Sequence, residues 1–170
     1  MISPLGVVPT GTTYSKEVSL YETKQFVIEQ ILGPSQQPIV FEVDALSAAN
    51  SGELTSLVYK CGEKQKEGMV LAFWGNQWNP AGVQYQAYGF KNFPKEKANE
   101  LLNKIEAALS SSSKALQDSG NNVYFQYDDL TFLLYTSTGQ NSIRVFWNSF
   151  DSEWNIGSFN RTKRRLEKKL

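Results

Sequence analysis

The chain repeats itself, and the repeat limits its architecture more than any other feature does. Glu53-Leu54-Thr55-Ser56-Leu57-Val58-Tyr59 returns as Asp129-Leu130-Thr131-Phe132-Leu133-Leu134-Tyr135. Each copy passes a glycine-containing turn, at Gly62 or Gly139, and reaches a Phe-Trp pair, Phe73-Trp74 or Phe146-Trp147. Beyond each pair lies a Trp-Asn, Trp78-Asn79 or Trp154-Asn155. The same segments in the same order at similar spacing point to one supersecondary unit used twice. At 170 residues the chain has the length of one domain or of two small interlocked halves.

Hydrophobic periodicity places the elements. Residues 1–15 hold two prolines, two glycines and three threonines without a period, and read as an extended lead-in. Ser19-Leu20-Tyr21-Glu22 fits a capping box, opening a helix that stops at Leu32 before Gly33-Pro34. Tyr21, Ile28 and Leu32 would share its buried face. A strand competes there, because Phe26 and Ile28 alternate and Val27 and Ile28 are β-branched. Residues 38–44 alternate Ile39, Phe41 and Val43 against polar neighbours, a strand, and 45–52 read as a small-residue turn. Strands follow at 54–60, 69–76 and 83–90, an antiparallel meander. Pro94 then opens a helix in which Ala98, Leu101, Leu102, Ile105 and Leu109 recur at the spacing of one buried face. The second unit offers strands at 123–127, 130–136 and 143–148, a further extended stretch at 153–156, and a short basic helix at 162–170. The expected fold class is α+β: one curved antiparallel sheet built from two similar β-rich units, with helices packed on one face. Residues 16–170 form a single domain in this reading, with units at about 19–118 and 119–170.

Composition removes several chemistries. There is no histidine, so Ser-His-Asp and Cys-His catalysis and every His-ligated metal site are excluded. Cys61 stands alone, so no internal disulfide or cysteine-based zinc site can form. Lys60, Lys64 and Lys66 surround it in sequence, but an ordinary strand-end cysteine is the expectation. Phosphate loops, Gly-x-Ser-x-Gly and GxGxxG are absent, and no cofactor is expected. Asp128, Asp129, Asp151 and Glu153 sit on two turns and read as solvated turn residues, not a metal or catalytic set. No apolar run approaches the ~20 residues that span a bilayer, and the first residues do not resemble a signal peptide. The expected protein is soluble and cytoplasmic, with no membrane partner.

Two groups of residues are left as candidates for function. Trp74, Asn76, Trp78, Tyr88, Trp147 and Trp154 combine flat apolar faces with amide donors, as surfaces that hold sugars, planar ligands or unstacked bases do. Neighbours in a strand face opposite ways, so a sheet covered on one side exposes one member of each Phe-Trp pair. The competing reading is that both pack inside. The second group is a basic end: Arg161, Lys163, Arg164, Arg165, Lys168 and Lys169 against Glu167 alone, a net of +5 in a chain that sums to zero. The expected function is a non-catalytic binding or adaptor domain that meets a protein partner through an aromatic-rich sheet face. A second copy of the chain, giving a homodimer, is one such partner. The uncovered face should carry part of the set Trp74, Tyr88, Phe132 and Phe146. Single-stranded nucleic-acid binding, with stacked bases and phosphates on the basic end, is the rival. A histidine-free hydrolase using Asp151 or Glu153 is the third alternative.

Overall fold

A computed structural model describes residues 8–10 and 16–170, with side-chain surroundings from Leu20 onward. Most of the lead-in expected at 1–15 lies outside the described residues. The first unit is a meander of four antiparallel strands: β2 (Glu42–Ala48), β3 (Leu54–Cys61), β4 (Lys66–Trp78) and β5 (Gln84–Pro94). A short strand, β1 (Val8–Thr10), adds to the free edge of β5. The second unit is another four-stranded meander: β6 (Asn122–Tyr127), β7 (Leu130–Ser137), β8 (Gln140–Trp147) and β9 (Phe150–Asn155). Each meander runs directly into a helix, α2 (Lys95–Ser111) after β5 and α3 (Ile156–Lys169) after β9. A third helix, α1 (Lys16–Phe26), precedes the first meander and continues as a π-helical turn, Val27–Leu32.

The single curved sheet of the sequence reading is therefore two sheets. The α2 helix and a 3-10 turn at Ala115–Gln117 separate β5 from β6, and β6 pairs with β7 alone. The inward faces share one core. It holds Leu54, Val58, Met69, Leu71, Phe73 and Phe93 from the first sheet and Leu130, Phe132, Leu134, Ile143, Val145, Trp147 and Trp154 from the second. Ala98, Leu101, Leu102 and Ile105 of α2 and Phe159 and Leu166 of α3 pack into the same core. Burying each large side chain is worth about 1.5–3 kcal/mol, so this shared interior dominates the fold. Helices do not sit on one face only. On the opposite side of the first sheet, Phe26, Val27 and Leu32 cover Leu57, Tyr59, Val70, Ala72, Trp74, Tyr88 and Phe90.

Local differences from the sequence reading have physical causes. The α1 helix begins at Lys16, so Ser19 lies inside it and does not cap it. Past Phe26 the turns widen, and the Gly33 N–H donates to the Ile28 carbonyl at 3.0 Å, five residues back. The wide turn aims both Val27 and Leu32 at the sheet and leaves Ile28 exposed, as Tyr21 is at 67%. A 3.6-residue period cannot anticipate that shift. Gly33, at φ +77°, ends the helix where other residues would be strained. Residues 45–48, expected as a turn, belong to β2, whose register shifts at a bulge between Ala45 and Ser47.

The register corrects the repeat by one residue. Leu54 lies opposite Phe73. Thr131 lies opposite Phe146, which sets Leu130 opposite Trp147 one step along. The structural counterpart of Trp147 is thus Phe73, not Trp74. Their rings meet in the core with centroids 5.0 Å apart. By the same count Trp154, opposite Ile143, corresponds to Phe93, opposite Met69, and not to Trp78. The Leu-x-x-Leu-x-Tyr correspondence itself holds: Leu57 matches Leu133 and Tyr59 matches Tyr135.

Candidate functional site

The outward face of the second sheet is a small array set by strand register. One row across it reads Tyr124, Leu133, Arg144 and Glu153. The next reads Gln126, Thr131, Phe146 and Asp151. Tyr135 and Ser142 lie in a third row, between Asn122 and Asn155. The face is open at Tyr124, 74% exposed, and Phe146, 36%, while the loop at Asn50 meets its β9 margin, where the Asn50 N–H donates to Asn155 Oδ1 at 2.8 Å. Leu133, Tyr135 and Arg144 are half-buried. At the centre Arg144 Nε donates to Asp151 Oδ1 at 2.5 Å. Partial burial lowers the affinity of Arg144 for its proton, but the bonds to Asp151 and to the Tyr135 hydroxyl outweigh it and hold the guanidinium firmly charged. The arrangement is an apolar centre with a fixed cation and acidic groups at one margin. It has the composition of an interface core, rich in aromatics and arginine, and it contains no nucleophile–base pair.

Strand alternation gives this face its character. Leu133, Leu134 and Tyr135 are consecutive, so β7 is apolar on both sides, with Leu134 inside and the other two outside. The matching outward positions of the first sheet, Leu57 and Tyr59, are roofed by α1. No segment like α1 precedes β6, because the helix in that place, α2, goes to the inner core. Tyr124, Leu133, Tyr135 and Arg144 were not among the sequence candidates. The signal was the continuous apolar run in β7 set beside its roofed copy in β3.

The residues singled out from sequence divide differently. Trp74 and Tyr88 lie under α1, ring centroids 4.6 Å apart. Trp147 is buried, donates from Nε1 to Asp129 Oδ2 at 3.0 Å, and packs on Phe150. Trp154 is buried with its edge against Phe159. Phe132 is wholly inside. Trp78, 63% exposed, and Asn76 are at the surface near the end of β4. The structure therefore does not bring the six aromatic-amide candidates onto one face. Of the set expected on the uncovered face, Phe146 alone is there.

The basic end is a docked helix whose cations are mostly engaged. Arg161 Nε donates to Ser47 Oγ at 3.1 Å, Arg165 Nη1 to the Leu46 carbonyl, and Lys169 Nζ to Glu42 and Asp44. Lys163 reaches Glu106 and Glu167. Arg164 and Lys168 remain exposed. Acidic turn residues are paired too: Asp128 with Lys97 and Asp129 with Lys91. Burial pushes the Asp129 carboxyl up, but Lys91 and the Trp147 N–H pull it below its ordinary value. Cys61 is buried at a strand end. Among the described residues no group of three or more metal-binding side chains gathers, and no helix is long and apolar enough to cross a membrane.

A polar cleft of about 370 Å³ opens where the two sheets meet, between Glu53, Trp74, Asn76 and Gln86 of the first and Ser149 and Asp151 of the second. Its two carboxylates are Glu53 and Asp151, and the latter is held by Arg144. No protein-family model, no curated protein and no solved structure matches this chain.

Proposed function

We propose that this chain is a non-catalytic binding module that associates with a protein partner through the outward face of its second sheet. One observation carries the reading: the outward leucine and tyrosine of the repeat are roofed in the first unit and only half-buried in the second, beside the exposed Tyr124 and Phe146. Apolar patches of this kind on a sheet face mark interaction sites. The docked state of the basic helix gives the nucleic-acid reading less support, since phosphates would compete with internal partners.

The test compares wild type with Leu133→Asp and Tyr124→Ala in tagged full-length protein. Trp78→Ala, which removes exposed aromatic surface elsewhere, serves as the control. Partners recovered by wild type and by the control should be lost with both face variants. Sedimentation of the 19.2 kDa chain should report a second copy as partner if the species formed is a homodimer. Identical recovery and identical assembly state across all four proteins would sink the proposal.

A further inference from the structure

We infer that the partner presents an amphipathic α-helix, seated across the second sheet as α1 is seated across the first, with basic residues along one flank. The inference rests on the binding-module reading and names the class of partner for the same face.

The molecule contains its own template. In the first unit Leu57 and Tyr59 of β3 meet Phe26, Val27 and Leu32, supplied by a helix and its wide last turn. Leu133 and Tyr135 stand at the same register positions of β7. The two faces are not identical, and the differences sharpen the prediction. Phe146 stands where the roofed sheet has Ala72, so the occupant needs a smaller side chain over that ring. Arg144 stands where the roofed sheet has Val70. Charge is sorted across the face. Glu153 and Asp151, the latter already paired with Arg144, line the β9 side, and Asn122, Tyr124 and Gln126 on the β6 side carry no charge. A helix with lysine or arginine on one flank and uncharged residues on the other complements that order. A flat β-strand partner would pair with an edge and leave the face open, and a second sheet face would set Asp151 and Glu153 against like charges or against Arg144 alone.

The probe is a synthetic peptide of residues 16–32 of this chain, because that sequence already seats on a Leu-x-Tyr face. A second peptide carries Glu22→Lys and Glu29→Lys, which lie seven apart and share a flank when the bound peptide is α-helical throughout. Each is titrated against the full-length chain by amide chemical-shift mapping and by fluorescence anisotropy. The expected result is saturable binding with shifts confined to outward residues of the second sheet, β6 to β9, and gain of peptide helicity. The lysine peptide should bind about threefold tighter at low salt, an advantage that screening removes. Leu133→Asp and the milder Tyr124→Ala should each weaken binding, the former about tenfold.

Absence of binding up to about millimolar peptide by a monomeric chain overturns the inference. Shifts at Leu57 and Trp74 instead, from exchange with α1, overturn it as well. A dimer that excludes the peptide and dissociates in both face variants assigns the face to a second copy; the helix inference then falls and the binding-module reading stands. If neither peptide binding nor any association responds to the face variants, both fall.

Discussion

Gly89 and Phe150 occupy the same register position in the two sheets, opposite Phe73 and Trp147 respectively. The smallest residue in one unit faces a large ring in the other. A Cβ on Gly89 would overlap the Phe150 ring and approach Trp147 to 3.2 Å. A Cβ on Gly75, on the neighbouring strand, would come within 3.3 Å of the same ring. Phe150 is thus a knob in a hole floored by glycine, and two copies with the same residue at this position would either clash or leave a void. Gly89→Ala should destabilise the protein by about 2 kcal/mol through overpacking, read by denaturant unfolding. In a Phe150→Leu background the same substitution should be nearly free, a coupling of about 1–2 kcal/mol. Additive losses in the double variant would refute the knob-and-hole account. This pair was invisible in the sequence because the Phe-Trp dipeptides aligned so well. One residue of offset turns a strand over, so Phe73 matches Trp147 across faces that the dipeptide alignment assigned the other way.

The α3 helix shows at element scale which of its bonds matter. Its buried side lays Ser158 and Thr162 against Ser47 and Ser56: Ser158 Oγ donates to Ser47 Oγ at 2.9 Å, and Thr162 and Ser56 hydroxyls lie 2.6 Å apart. Arg161 Nε also donates to Ser47. At the far end Lys169 bonds Glu42 at 2.6 Å and Asp44 at 2.9 Å, all three well exposed. Ser47→Ala strands a fully buried hydroxyl and a half-buried guanidinium N–H, and should cost about 2 kcal/mol at every pH above the carboxylate range. Lys169→Ala should cost much less, because exposed ion pairs are screened. Its effect has a pH signature. A proton shared with the neighbouring Glu42 carboxyl first, and then the Lys169 ammonium, hold the Asp44 carboxyl below its ordinary value. A depressed folded value means that the stabilisation is full above the unfolded carboxylate range and is lost as pH falls through the folded value. Melting temperatures of wild type and Lys169→Ala should therefore differ slightly at neutral pH and converge in acid. A constant gap across that range would show that the lysine acts through packing. In the sequence the same residues read as a basic end beginning at 162. The helix begins six residues earlier, directly after Trp154-Asn155, because β9 is short and delivers the chain to the edge of β2.

At the scale of the molecule, the duplication, the two meanders and the buried face of α2 were legible, since each rests on a local period of two or 3.6 residues. The number of sheets was not. A strand's apolar pattern is the same whether its neighbour lies beside it or across the core, and the choice was made by the length of chain from β5 to β6. The roof of α1 and its missing counterpart were illegible for a similar reason, since a helix's apolar stripe does not say which sheet face it meets. The shared core leads to the last prediction. The second unit contributes Leu130, Phe132, Leu134, Ile143, Val145, Trp147 and Trp154 to an interior whose other half comes from the first sheet and α2. A piece of about fifty residues buries too little surface to offset its chain entropy, and here its outward face is apolar too. Produced as separate fragments 1–118 and 119–170, the second should lack the near-ultraviolet circular dichroism of packed tryptophans. Mixing the fragments should restore that signal and a single cooperative melt, with Phe150 returned to its hole between Gly75 and Gly89. Weakening by Gly89→Ala should then appear as a lower fragment affinity, about thirtyfold for a 2 kcal/mol loss. Cooperative unfolding of 119–170 by itself would show that the two units are independent domains, and would remove the reason for the glycine at position 89.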